Sequence, residues 1–196
     1  MPTMNTRRKK RFHQPLPSPA TPGWRRFCAA ILISLMPFAS LRADNQVWVT
    51  GRVFWDGTSA NWEGDTIWAN GNTAVFNAGT GVVLIIGDPI ASGLQINTTA
   101  TIADGSISLS AGSAISVASG ETATIDSTLN TLGDLTINNA DPTGDAGIVI
   151  LSGTYDFDGN TTITDNAWLG IETSGTLGTA LEVESNGTLS LGNVDP

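Results

Sequence analysis

The sequence predicts an all-β chain wound as a parallel β-helix, or β-solenoid, behind an export leader. Three observations lead there. Past residue 44, no segment repeats its apolar residues at the 3.6-residue period of a helix. Short apolar runs recur instead, cut roughly every 8–12 residues by Gly, Asn, Asp or Ser. The polar residues that alternate with them are small: Ser, Thr and Asn.

Residues 1–43 read as a signal peptide with a long basic leader. Arg7, Arg8, Lys9, Lys10 and Arg11 open it, and Pro15, Pro17, Pro19 and Pro22 discourage regular structure. Arg25 and Arg26 then precede an apolar run from Phe27 to Phe38. A run of this length suits a signal core of roughly 7–15 residues and falls short of the ~20 that cross a bilayer. Ala43, after Ser40-Leu41-Arg42, is the expected residue before the cut. Cleavage after Ser40 and an uncleaved anchor are the alternatives.

Charge divides the chain at the same point. All 18 acidic residues lie at or after Asp44, whereas Arg52 alone of the nine Lys and Arg residues does. The mature part is therefore acidic and repels nucleic acid and anionic lipid. No His, Cys or Lys follows residue 43. Disulfides cannot brace such a fold. Ser-His-Asp and Cys-His devices are excluded, as are zinc held by imidazole or thiolate and a phosphate loop that needs Lys. The expectation is a protein that is not an enzyme.

Strands are expected along residues 81–196. Val82–Ile86 is a continuous apolar run between Gly81 and Gly87-Asp88-Pro89. Alternating segments follow at 93–97, 100–102, 106–110, 114–117, 122–125, 135–138, 147–151, 161–164, 168–171, 181–184 and 188–191. This spacing fits a sandwich or a β-helix. The small polar residues favour the helix, because rungs about 4.8 Å apart stack like on like without crowding. The scarcity of Asn-Gly hairpin dipeptides points the same way.

Residues 44–80 differ. Trp48, Trp55, Trp62 and Trp68, with Phe54 and Phe76, make an aromatic head. A solenoid must cover its first rung, and bulky rings suit an N-terminal cap.

One segment resembles a known family. From Gly147 to Ile171, the run Leu151-Ser152-Gly153, Tyr155 and Phe157, Gly159, Thr161-Thr162-Ile163 and Leu169 resembles the autotransporter-associated β-strand repeat. Gly187-Thr188-Leu189-Ser190-Leu191-Gly192 is similar to the close of such a unit. Trp55-Asp56-Gly57, Asn61-Trp62 and Gly71–Phe76 resemble the opening that precedes such repeats. The resemblance implies a right-handed solenoid of passenger type, secreted or held at the outer surface of a Gram-negative-type bacterium, with a structural or adhesive role. One clear repeat, with no barrel or sorting tail in the given residues, leads us to expect a truncated passenger.

Three groups of residues invite chemistry. Asp156, Asp158 and Asn160, with Asp165 near, offer hard oxygens to Ca²⁺, since strand residues two apart share a face about 7 Å apart. The plainer expectation is an ordinary polar turn, and no other cofactor is expected. Glu182 and Glu184 share a strand face and read as solvated; as a carboxylate pair they would serve glycoside hydrolysis in the competing class, a carbohydrate-binding or carbohydrate-cleaving β-helix. Trp55, Trp62 and Trp68 would stack on sugar rings if exposed, which makes surface glycans the candidate partner. Burial as a core is the competing expectation.

Overall fold

A computed structural model describes residues 43–192. The leader, its apolar run and Arg42 of the expected cleavage region lie outside the described residues. Within them there are fifteen strands and no helix.

In chain order the strands begin with β1 (Asn45–Val47), β2 (Phe54–Trp55), β3 (Thr73–Phe76), β4 (Gly81–Ile85) and β5 (Ile90–Ile96). The centre is β6 (Ala100–Val117), β7 (Thr122–Thr131), β8 (Leu135–Asn139), β9 (Gly147–Leu151) and β10 (Tyr155–Phe157). The chain continues through β11 (Asn160–Thr164), β12 (Ala167–Ile171), β13 (Gly175–Thr176), β14 (Ala180–Val183) and β15 (Thr188–Leu191).

Every pairing between these strands is parallel. Parallel neighbours cannot be joined by a hairpin, so the chain must travel around before it returns alongside itself. It does so in about six turns of a β-solenoid. Hydrogen-bonded residues on successive turns lie 20 residues apart at Asn97 and Asn77, 22 at Ser116 and Asn138, and 26 where the Asn160 N–H meets the Asp134 carboxylate.

The pairing divides the wall into three faces. The first runs from β1 through β3 and the end of β5 to the end of β6, then β8, β11 and β14. The second runs β2, β4, the start of β6, the start of β7, β9, β12 and β15. The third links the start of β5, the middle of β6, the end of β7, β10 and β13. A sandwich of antiparallel strands is thereby excluded.

Strand alternation decides what points inward. On the first face Ala74, Leu94, Ile115, Ile137, Ile163 and Val183 stand in register as one internal column. On the second, Val83, Ile102, Ile125, Leu151, Ile171 and Leu191 form another. All but the last member of each column are buried. In the last described rung, Leu181, Val183 and Leu191 remain 37%, 42% and 73% exposed. Fully burying a side chain of this kind is worth roughly 1.5–3 kcal/mol, so the columns are the main apolar source of stability. The outer positions carry polar ladders, among them Gln95, Ser116, Asn138 and Thr164. The Ser116 hydroxyl donates to Asn138 Oδ1 at 2.7 Å.

Three segments read separately, 100–102, 106–110 and 114–117, turn out to be one continuous strand, β6. It bends around two corners without leaving the ladder. Asp104, Gly105 and Gly112 take left-handed backbone at those corners, with φ of 59°, 49° and 73°. Asp and Gly are the residues that enter this region at low cost. The ladder slips in register between Ala103 and Ser106, which marks the first bend.

Candidate functional site

The aromatic residues occupy the first described turn. Trp48 follows β1, Trp55 lies in β2, and Trp62 and Trp68 come from the long connection to β3. All four are buried, Trp55 and Trp62 completely. Trp48 meets Trp62 at 5.1 Å between centroids and 83° between planes, and Trp55 meets Trp62 at 5.3 Å and 76°. Edge-to-face pairs of this kind add about 0.5–1.5 kcal/mol beyond area burial. The Nε1 atoms of Trp48, Trp55 and Trp62 are buried and have no N or O acceptor among the described residues. Near-perpendicular packing is the arrangement in which an indole N–H faces a neighbour's π cloud.

Trp55 and Trp62 thus present no open ring face, and a sugar platform of three stacked indoles does not form. Phe54 departs from the head in the other way. It points outward and is 47% exposed.

The connection is held by polar side chains. Asn61 donates from Nδ2 to the Phe54 carbonyl at 2.6 Å. Asp56 closes the turn after β2. Its carboxylate accepts from the N–H groups of Thr58 and Ser59 at 2.7 and 2.5 Å and from both their hydroxyls. Burial is the largest single influence on this carboxyl and raises its pKa. The hydrogen bonds from Ser59 and Thr58 together outweigh it and hold the pKa below the ordinary value.

Trp68 is the cluster's contact with the surface. Its Nε1 donates to Asn70 Oδ1 at 2.9 Å, and that same oxygen accepts from the Ile90 N–H at 3.0 Å. Beside it lies a hollow of about 360 Å³ lined by Gly57, Trp68, Asn70, Ile86, Gly87, Asp88 and Pro89. Trp68 and Pro89 are buried, while Asn70, Ile86 and Asp88 are exposed. The site therefore has an apolar floor and a polar rim. Three separate stretches meet here because parallel register sets β4 beside β2, with Phe54 opposite Leu84 and Trp55 opposite Ile85.

Only Trp68 of these lining residues was expected at a site from the sequence. Gly87-Asp88-Pro89 reads as a strand boundary, and Gly57 as part of a family-like opening. A signal does exist in retrospect. Two turns, Asp56-Gly57 and Gly87-Asp88, follow strands that pair one turn apart, and turns stacked in that way enclose space.

Asp156 lies between Tyr155 and Phe157 in β10 and Asp158 follows the strand, so the alternation is as expected. Tyr155 and Phe157 point in with centroids 5.5 Å apart, and both Asp residues are exposed. Burial raises the Tyr155 hydroxyl pKa. Asn160 is committed elsewhere. Its N–H donates to Asp134 Oδ1 at 2.8 Å, and its Oδ1 accepts from Thr179 Oγ1 at 3.0 Å. Among the described residues, no three His, Cys, Asp or Glu side chains gather closely enough to hold a metal. Glu184 accepts from the Thr164 hydroxyl at 2.5 Å across one turn, and Glu182 is exposed opposite Thr162.

Comparison of the chain with protein-family models, with curated proteins and with solved structures finds no match. The class is therefore set by the fold alone: a parallel β-solenoid.

Proposed function

We propose that this protein is an exported structural solenoid of the autotransporter-passenger type, which presents polar faces at or beyond the cell surface without catalysing a reaction. The observation that carries this reading is the outer wall. It repeats small polar residues in register, as at Gln95, Ser116, Asn138 and Thr164, while the interior is spent on apolar columns. A wall of this kind offers a stiff, extended surface rather than a cleft. The leader's basic start and apolar core, with the acidic composition after residue 43, support export. The Gly147–Ile171 repeat supports the passenger reading and, with it, a right-handed winding.

The Trp48, Trp55, Trp62 and Phe76 cluster serves in this reading as the cap of the first turn. It replaces with rings the apolar neighbours that a preceding rung would supply.

Export is tested by fusing residues 1–43 to a reporter enzyme that needs disulfides and is active only outside the cytoplasm. We expect activity, and N-terminal sequencing of the processed chain starting at Asp44 or Leu41. An inactive, unprocessed fusion overturns the export half of the reading.

A further inference from the structure

We propose that the hollow beside Trp68 is a binding site for a single sugar ring of a neutral glycan. This goes beyond a purely structural role for the solenoid.

About 360 Å³ lies at the lower end of ligand-binding cavities, which span roughly 300–1,000 Å³. That holds one ring with its substituents, not an extended chain. The floor, Trp68 and Pro89 with Ile86 at the side, is apolar. Trp68 and Pro89 show only narrow edges to the hollow, and the exposed Ile86 side chain is the apolar surface that the C–H face of a pyranose would meet.

The rim supplies the opposite chemistry. Among the described residues, the Asp88 carboxylate and the Asn70 side-chain amide nitrogen have no hydrogen-bond partner. One accepts and the other donates, as the hydroxyls around a sugar require. Asn70 is already oriented, because its oxygen is fixed by Trp68 Nε1 and the Ile90 N–H. A pre-positioned amide costs little to order on binding.

Two glycines keep the hollow open. A Cβ added at Gly57 or Gly87 would meet no atom within 4 Å. Gly87 also has a φ of 89°, which disfavours any side chain. Gly57 carries no such constraint, so a larger residue there enters the free space without straining the backbone.

The test uses the full chain. It is titrated with methyl glycosides of glucose, galactose, mannose and N-acetylglucosamine and with their short oligomers. Tryptophan fluorescence and saturation-transfer NMR report binding. We expect at least one glycoside to bind with a Kd of about 1 mM, the scale of a weak single-ring contact. Gly57→Leu is expected to weaken it at least tenfold with the circular dichroism spectrum unchanged. Asp88→Ala, in an exposed turn, gives the same loss and carries the test should Gly57→Leu misfold. The proposal is overturned by no saturation from any of the glycosides. It is equally overturned by both variants binding as the unaltered chain does.

Discussion

At the scale of single residues, close approach between rungs decides what is tolerated. Gly159 sits at a corner where an added Cβ would lie 2.3 Å from the Asp134 N and the Gly133 carbonyl carbon one turn away. Both are backbone atoms, so neither can swing aside. Gly159→Ala should cost about 1–3 kcal/mol, the range for overpacking, read as a lower urea midpoint at unchanged slope. A midpoint equal to that of the parent would show that the rungs separate easily at this corner. Asp56 belongs to the same scale. Its pKa is lowered in the fold, so its contribution is fully present above the unfolded value, about 3.9. The contribution is lost as pH falls through the lower, folded value. Asp56→Asn should therefore be less stable than the parent near neutrality, and the gap should close as the pH drops below about 4. A gap that stays constant over that range would mean that the hydrogen bonds do not depend on the charge.

At the scale of elements, the seam between β8 and β9 shows how a column is interrupted for a purpose. Phe76, Ile96 and Val117 stack in register, and the next position is Asn139, which is buried. Its Nδ2 donates to the Asp145 carbonyl at 2.7 Å, and its Oδ1 accepts from the Asp141 N–H at 3.0 Å. One buried amide thus pins both ends of the loop at 140–146. Asn139→Val should keep the apolar column but free that loop, so limited proteolysis between Asp141 and Asp145 should become faster while the far-ultraviolet spectrum holds. Equal cleavage rates would assign the loop's order to something else. Most strands from β4 onward were legible, β4 as a continuous apolar run and many of the others from alternation, because a solenoid wall sets an apolar interior against a polar exterior at a two-residue period. Corners were less legible. Asp104-Gly105 reads as a break, yet left-handed backbone there bends a strand rather than ending it. β13, only Gly175–Thr176, has no apolar alternation to betray it. The hollow at Trp68 has no signature in any one segment, for a different reason. It exists only once register brings residue 57 beside residue 87, and register is a property of pairs of strands, not of either one.

At the scale of the whole described coil, each turn rests only on its two neighbours, so stability should vary along the axis. The central turns, with β6 and β7 paired on both sides, bury every column member. The last described rung does not, since Leu181, Val183 and Leu191 stay open to solvent. Amide hydrogen exchange should be slowest in β6 to β9 and fastest in β13 to β15. Uniform protection would mean that the coil opens as one unit. The exclusively parallel pairing has a kinetic corollary as well. No strand can pair with a neighbouring strand of the wall until an entire circuit of chain has been laid down; the local antiparallel contacts among the described residues are the isolated bridges of Trp62 with Trp48 and Thr66, outside the strands. The wall of such a chain therefore gains its order one circuit at a time as synthesis proceeds.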